Sequence, residues 1–267
     1  MPFLQVEDLQ IHYEIGGEGP PLIILHGMGN NSQSWKKQLQ GLAKQFTVIA
    51  WDAPGYGKSS DPVVELKEFS QFADVLKGFI EKLNYPSVTL LGHSMGSAIA
   101  LDLCYRFPEM VDALIISDAT RGAAALSKEE NERRLNNRLR NINTLDPKEL
   151  AKLRVQELLS PQPDPEILKE AERIYSQIRP MGFRSVAYSL SSLNQMDILP
   201  SIDVPALVIC GELDRVTPVS ESQIFHEGIK ESTFVTIPGT GHLCYQEDPA
   251  RFNEIVRDFL TSLPINQ

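Results

Sequence analysis

In the stretch VTLLGHSMGSAIALDLC, residues 88–104, an apolar strand-like run ends in Ser94, with Gly92 and Gly96 two places to either side. A helical pattern starts at the very next residue. So tight a strand-to-helix junction holds its serine in a strained backbone conformation and leaves no room for neighbouring side chains. The glycines supply that room, and the hydroxyl is thrust clear of the turn. The helix N-terminus behind it points N–H groups at any negative charge that develops there. A serine so placed could also serve only as a helix cap. Its partners decide between the two roles.

A serine hydroxyl is a weak nucleophile until a base takes its proton. Among the five histidines, His12 lies in an alternating N-terminal strand, where a solvent-facing position is expected. His26 ends a strand beside glycine, His93 is expected to face away from the serine along its strand, and His226 reads as structural within an amphipathic helix. His242 differs. It follows the last strand in IPGTGH, a glycine-rich loop at the carboxyl edge of the sheet from which a base can reach Ser94. That base needs a carboxylate to hold its tautomer and stabilise the imidazolium. Asp214 at the end of VICGELD, Glu212 two residues earlier and Asp118 at the end of the preceding strand could each serve. The chain order serine, aspartate, histidine favours Asp214. Acyl transfer also needs N–H donors for an oxyanion. LHGMG, residues 25–29, ends another buried strand, and its Gly27 lets backbone approach a ligand closely. The N–H groups of Met28 and of Met95, directly after the serine, are the expected pair, with Gly27, Met28 and Met95 as the expected substrate contacts.

These residues need a scaffold that gathers strand ends at one edge. Two alternating strands, FLQVEDLQ and IHYEIGG, open the chain. PPLIILHG, TVIAWDAPG, VTLLGHS, ALIISDA and PALVICGELD are instead continuous apolar runs, as parallel strands buried on both faces should be. Helical patterns at 32–46, 68–84, 95–107, 219–229 and 249–262 alternate with them, and TFVTIPGTGH supplies a last strand. The repetition predicts an α/β fold with a mostly parallel sheet covered by helices on both faces, ligands lying at the carboxyl ends of the strands. Between Thr120 and Val204 no strand pattern is visible, and the composition shifts to Lys, Glu, Arg, Asn and Leu. Residues 121–180 read as a helical insertion of at least two amphipathic segments split by SPQPDPE, and 181–196 as a core helix rejoining the sheet. The expected layout is thus a core of 1–120 and 181–267 with a cap of 121–180.

LHGMG, DAPGYGKS, GHSMG, GELD and GTGH, in this order and at these strand ends, resemble the α/β-hydrolase fold superfamily. The resemblance covers nearly the whole chain and is weak only in the insertion. It implies an eight-stranded, mostly parallel sheet with a helical cap inserted after the sixth strand. It also implies Ser94, Asp214 and His242 as a catalytic triad, and Met28 and Met95 as an oxyanion hole. DAPGYGKS would be a structural turn; a phosphate-binding Walker loop would need glycine where Asp52 stands. Relatives that open epoxides or cleave carbon–halogen bonds use an aspartate nucleophile, so Ser94 argues against those reactions. Carbon–carbon hydrolases of the meta-cleavage-product type usually carry Asn before the nucleophile and an aromatic soon after the histidine, where this chain has His93 and Leu243. Members often have glycine at position 97; Ser97 here should affect packing more than chemistry. The chain looks more like the small carboxylesterases and enol-lactonases. Alternatives are a meta-cleavage-type hydrolase, an acyltransferase or perhydrolase, and a ligand receptor that retains the triad.

Composition narrows the partners. With 267 residues, 42% hydrophobic and 22% charged, the chain can bury one sizeable core, and its net charge of −10 argues against nucleic acid or anionic membranes. The basic run RRLNNRLR at 133–140 lies in a helical pattern and is expected to be a solvated face. No export signal or membrane-spanning run is visible. Three scattered cysteines read as buried free thiols, and a cytoplasmic location is expected. The expected partner is a small, largely apolar ester or lactone, handled without metal or organic cofactor by a monomer or homodimer. Leu135, Leu139, Leu153, Leu158 and Leu159, with Phe183 and Tyr188, are the candidates for a pocket roof, though cap packing would also use them.

Overall fold

The computed structural model describes residues 2–263. Eight strands form one sheet: β1 (Phe3–Val6), β2 (Leu9–Gly16), β3 (Pro21–Leu25), β4 (Thr47–Trp51), β5 (Val88–His93), β6 (Val111–Ser117), β7 (Ala206–Gly211) and β8 (Thr233–Ile237). Their order is β1-β2-β4-β3-β5-β6-β7-β8, with β2 antiparallel to both neighbours and every pairing from β4 through β8 parallel.

The continuous apolar runs are explained by the pleat, which sends successive side chains to opposite faces. Ile23 and Leu25 of β3, Ile49 and Trp51 of β4 and Leu90 of β5 enter one core layer. Leu22 and Ile24, Val48 and Ala50, and Leu91 enter the other. The first layer is closed by α2 (Phe69–Leu83) and α3 (Met95–Arg106), the second by α1 (Lys36–Leu42) and α10 (Pro249–Ser262). Each aliphatic side chain fully buried in these layers stabilises the fold by roughly 1.5–3 kcal/mol. The helix expected over 32–46 is shorter. Asn31 caps a 3-10 turn at Ser32–Trp35, and α1 ends at Leu42.

The segment between β6 and β7 holds α4 (Lys128–Thr144), α5 (Pro147–Leu158), α6 (Pro165–Tyr175) and α7 (Pro180–Ser192). Asp146 and Asp164 cap α5 and α6, each followed by proline at the first helical position. The expected core helix is α7, which packs mainly on α4. Its Gly182 lies so close to Gly55 that a Cβ there would sit 2.4 Å from the Gly55 oxygen. After β7 come α8 (Val219–Gly228) and, beyond β8, the single turn α9 (Cys244–Glu247). Among the described residues no helix is long and apolar enough to cross a membrane.

The turn after β4 is organised by a buried carboxylate. Asp52 accepts hydrogen bonds from the N–H groups of Ser32 and Lys58, at 2.6 and 2.8 Å, and from His12 Nδ1 at 2.7 Å. His12, expected to face solvent, is 1% exposed. Its ring is covered because β2 lies between β1, whose Phe3 packs against it, and β4, whose end carries Asp52. Burial opposes the Asp52 charge, but the His12 contact and the two N–H groups outweigh it and hold the carboxyl below its usual range. A depressed carboxylate pKa contributes stability at neutral pH that is lost as pH falls through the folded value. Asp52→Ala, which strands three donors, two of them buried, is expected to cost about 3–5 kcal/mol at pH 7. In urea unfolding the gap from the parent chain should narrow as pH drops toward 3; an unchanged gap would contradict this assignment.

Candidate active site

Ser94 occupies the turn between β5 and α3 with φ 53 and ψ −114, a conformation that costs a non-glycine residue on the order of 1–3 kcal/mol. Close backbone contacts hold it there. A Cβ on Gly92 would lie 2.3 Å from the Gly96 oxygen, and one on Gly96 would lie 2.4 Å from the Leu25 oxygen. The Ser94 N–H is bound to the Ser117 oxygen at 2.9 Å. Ser97, where glycine was the common residue, donates its hydroxyl to the Gly92 oxygen at 2.7 Å and fastens the same turn. Ser94 itself remains half-buried while both neighbours are buried.

His242 stands on the loop after β8. Its Nδ1 lies 2.7 Å from Asp214 Oδ2. The other Asp214 oxygen receives the N–H groups of Val216 and Thr217 at 2.7 and 3.1 Å, and the Thr217 hydroxyl donates to Oδ2 at 2.7 Å. Burial works against the charge on Asp214, but the His242 charge and these donors prevail and depress its pKa. His242 mirrors it: burial disfavours the imidazolium, and the Asp214 charge and hydrogen bond overcome that and raise its pKa. With Nδ1 committed to the carboxylate, Nε2 is the nitrogen left to accept a proton.

His93 was expected to face away. Its Nε2 instead donates to the His242 backbone oxygen at 2.7 Å, and the two rings lie 4.8 Å apart. Burial and the neighbouring His242 charge push its pKa down to about 3, so the ring stays neutral. His26 ties two strand-end loops together, with Nδ1 donating to the Gly27 oxygen and Nε2 accepting from the Ala53 N–H. His226 bonds Ser232 and stacks on Phe234. Thr217 was not singled out in the sequence, and His93 was given no role there. An Asp followed three places later by Thr is the one local signal of the turn around Asp214; nothing in sequence marks His93.

The alternative acids separate clearly. Glu212 is exposed and accepts from the Gly239 N–H. Asp118 is fully buried, bound by the Ser117 hydroxyl, the Gly211 N–H and the Cys244 thiol. Burial and the Asp214 charge raise its pKa. Atoms of Asp118, Asp214 and His242 lie within 4.8 Å of one another, but those of Asp214 and His242 are already engaged with each other. All three cysteines are buried and unpaired.

The loop after β3 closes on the serine. A Cβ on Gly27 would lie 3.2 Å from Ser94 Cβ, so the Met28 backbone follows directly from that contact. Met95 heads α3, where first-turn N–H groups lack helical partners. Gly29 has φ 84 and lies under the Tyr175 ring of α6, which a Cβ would meet at 2.1 Å.

Above Met28 opens a cavity of about 490 Å³. Its walls depart from the sequence reading. Of the five leucines considered, Leu153 lines it, together with Leu150, Phe183 and Tyr175; Leu158 and Leu159 are buried in the second core layer. Arg134, Arg138 and Arg140 also line it, so the basic run is not simply a solvated face. The side of α4 that carries them turns toward α5 and the loop after β7.

The sequence profile of the alpha/beta hydrolase fold matches residues 20–249. An uncharacterised protein of Mycobacterium tuberculosis is 28% identical over 97% of this chain and 81% of its own. The 3-oxoadipate enol-lactonase 2 of Acinetobacter baylyi is also 28% identical, over 95% of this chain and 94% of its own. Among solved structures, a malate-bound thermophilic esterase from Thermogutta terrifontis superposes with a TM-score of 0.88 at 26% identity, covering 95% of this chain and 93% of that one. With the eight-stranded sheet and its strand-end loops, these matches make the chain a member of the α/β hydrolase fold family.

Proposed function

We propose that the protein is a serine hydrolase that cleaves an ester or lactone through an acyl-serine. The observation that carries this reading is the buried His242–Asp214 pair, set on strand-end loops of the sheet whose β5 ends in the strained Ser94 turn. The esterase and enol-lactonase among the relatives agree with it. His242 Nε2 takes the Ser94 proton as Oγ attacks the carbonyl carbon. Asp214 stabilises the imidazolium so formed. The Met28 and Met95 N–H groups receive the negative oxygen of the tetrahedral intermediate, each donor contributing roughly 3–4 kcal/mol. His242 then protonates the departing alkoxide, and the acyl group remains on Ser94. Water, deprotonated by His242, reverses the sequence and releases the acid. These steps need no metal or organic cofactor.

Hydrolysis of p-nitrophenyl esters from acetate to decanoate should fall by roughly 10⁶ in kcat for Ser94→Ala. Survival of the activity in that variant would reject the nucleophile. The profile of kcat/KM against pH carries a second expectation, because His242 must be neutral to act as base. Its raised pKa puts the acid limb above the ordinary histidine value of 6.5. In Asp214→Asn the charge that holds the proton is gone and burial dominates, so the limb should move to lower pH while kcat drops by about 10⁴. A limb left in place would disconnect Asp214 from the base.

A further inference from the structure

The walls of the cavity above Met28 bear five arginines, Arg134, Arg138, Arg140, Arg154 and Arg215, and a single acid, Glu157, in a chain whose net charge is −10. Most of these guanidinium groups have protein partners. Arg134 is held by Glu130 at 2.8 Å and Arg154 by Glu157. Arg215 donates to the Gln156 and Leu159 carbonyls at 2.6 and 3.1 Å. Arg140 donates to the Asn137 side chain at 3.0 Å. Arg138 is the exception. It is half-buried, and among the described residues no hydrogen bond or ion pair engages its guanidinium. Burial and the charges of Arg154 and Arg134 push its pKa down to about 10, the mark of a cation surrounded by its own kind. An uncompensated, partly desolvated charge is costly to hold. The cavity that Arg138 lines reaches Met28, beside the Ser94 turn, and Val216, two residues after Asp214, so a ligand lying along it would complete the pair.

The cluster is within electrostatic reach of the reacting groups. The Arg154 charge is felt at Tyr175, whose ring covers Gly29, and at His242. Arg215 and Val216 directly follow Asp214 in the chain.

We infer that the substrate carries a carboxylate remote from its scissile carbonyl, and that Arg138 receives it at the roof of the cavity while the carbonyl lies over Met28. This inference rests on the ester or lactone reading and names the substrate class for that same site: a monoanionic half-ester, or a lactone bearing a free acid. A guanidinium fork matches a carboxylate through two parallel hydrogen bonds. One unpaired guanidinium among neighbours already partnered suits a single negative charge better than a phosphate dianion. This narrows the expected small, largely apolar substrate to one whose apolar segment ends in an anion.

The test compares two substrates of equal chain length, mono-p-nitrophenyl adipate and its methyl ester. The parent enzyme should favour the free acid by on the order of 30-fold in kcat/KM, mostly through KM. Arg138→Gln should collapse that ratio toward one, and Arg138→Lys should retain part of it. The control Arg133→Gln, at an exposed arginine paired outward with Glu130, should leave the ratio unchanged. Equal rates on the two substrates, or a ratio indifferent to Arg138→Gln, would overturn the assignment. Calorimetric titration of Ser94→Ala with adipate separates this inference from the hydrolase reading. Binding lost on adding Arg138→Gln supports the anion site even if no ester is turned over, an outcome that would sink only the hydrolase. Absence of adipate binding overturns the anion site whatever the esterase activity. Inorganic phosphate displacing adipate at lower concentration would overturn the choice of carboxylate.

Discussion

The geometry of the site depends on one constraint: Ser94 must sit in a left-handed conformation at a junction where backbone meets backbone. Positive φ turns the chain from β5 into α3 within a single residue. That turn brings the Gly92 and Gly96 peptides against each other and the Leu25 peptide against Gly96. No side chain fits among them, so the neighbouring loop can approach only through Gly27, and this approach carries the Met28 backbone to the serine. At the same junction the Ser94 N–H and the Ser97 hydroxyl tie the turn to β5 and β6. The strain at Ser94 is therefore held by several independent contacts, as a strained residue must be to persist.

Around this junction three buried carboxylates are driven to different states by their partners. Asp52 and Asp214 each collect N–H donors and an imidazole, and stay ionised. Asp118 has a hydroxyl, one N–H and a thiol, and Asp214 for a neighbour, so burial dominates and its proton is retained to higher pH. An aspartate at a strand end thus says little by itself. The donors brought by other elements decide whether it orders a turn, polarises a base or merely fills a polar pocket.

Much of this was legible in the sequence. Continuous apolar runs marked the five central strands, because burial on both faces writes itself into consecutive residues, and alternation marked the two strands that open the chain. The strand-end residues Ser94, Asp214, His242 and Met28 could be marked because each sits where regular structure stops. What could not be read depends on partners distant in sequence. His12 was assigned to solvent from its alternating strand, yet Asp52, 40 residues on, covers it. His93 turns toward a carbonyl 149 residues away. The basic run of α4 has an ordinary amphipathic pattern, and only the packing of α5 and the loop after β7 reveals which of its arginines close over a cavity. Even the limits of α5 and α6 were spelled locally, in Asp-Pro pairs that begin a helix.

The helical segment between β6 and β7 is not fastened to the rest of the fold by its two chain ends alone. The Leu243 N–H binds the Leu158 oxygen, Glu247 accepts from the N–H groups of both Ser160 and Gly241, and Arg215 reaches the Leu159 carbonyl. The end of α5 is thereby a mount shared by the histidine loop and the acid loop. The segment between β6 and β7 is therefore part of the frame that holds the His242–Asp214 pair. On the proposed mechanism, specificity and catalytic alignment draw on the same few peptide groups, so a transplanted segment of different sequence has to reproduce this seam before it can usefully alter the pocket.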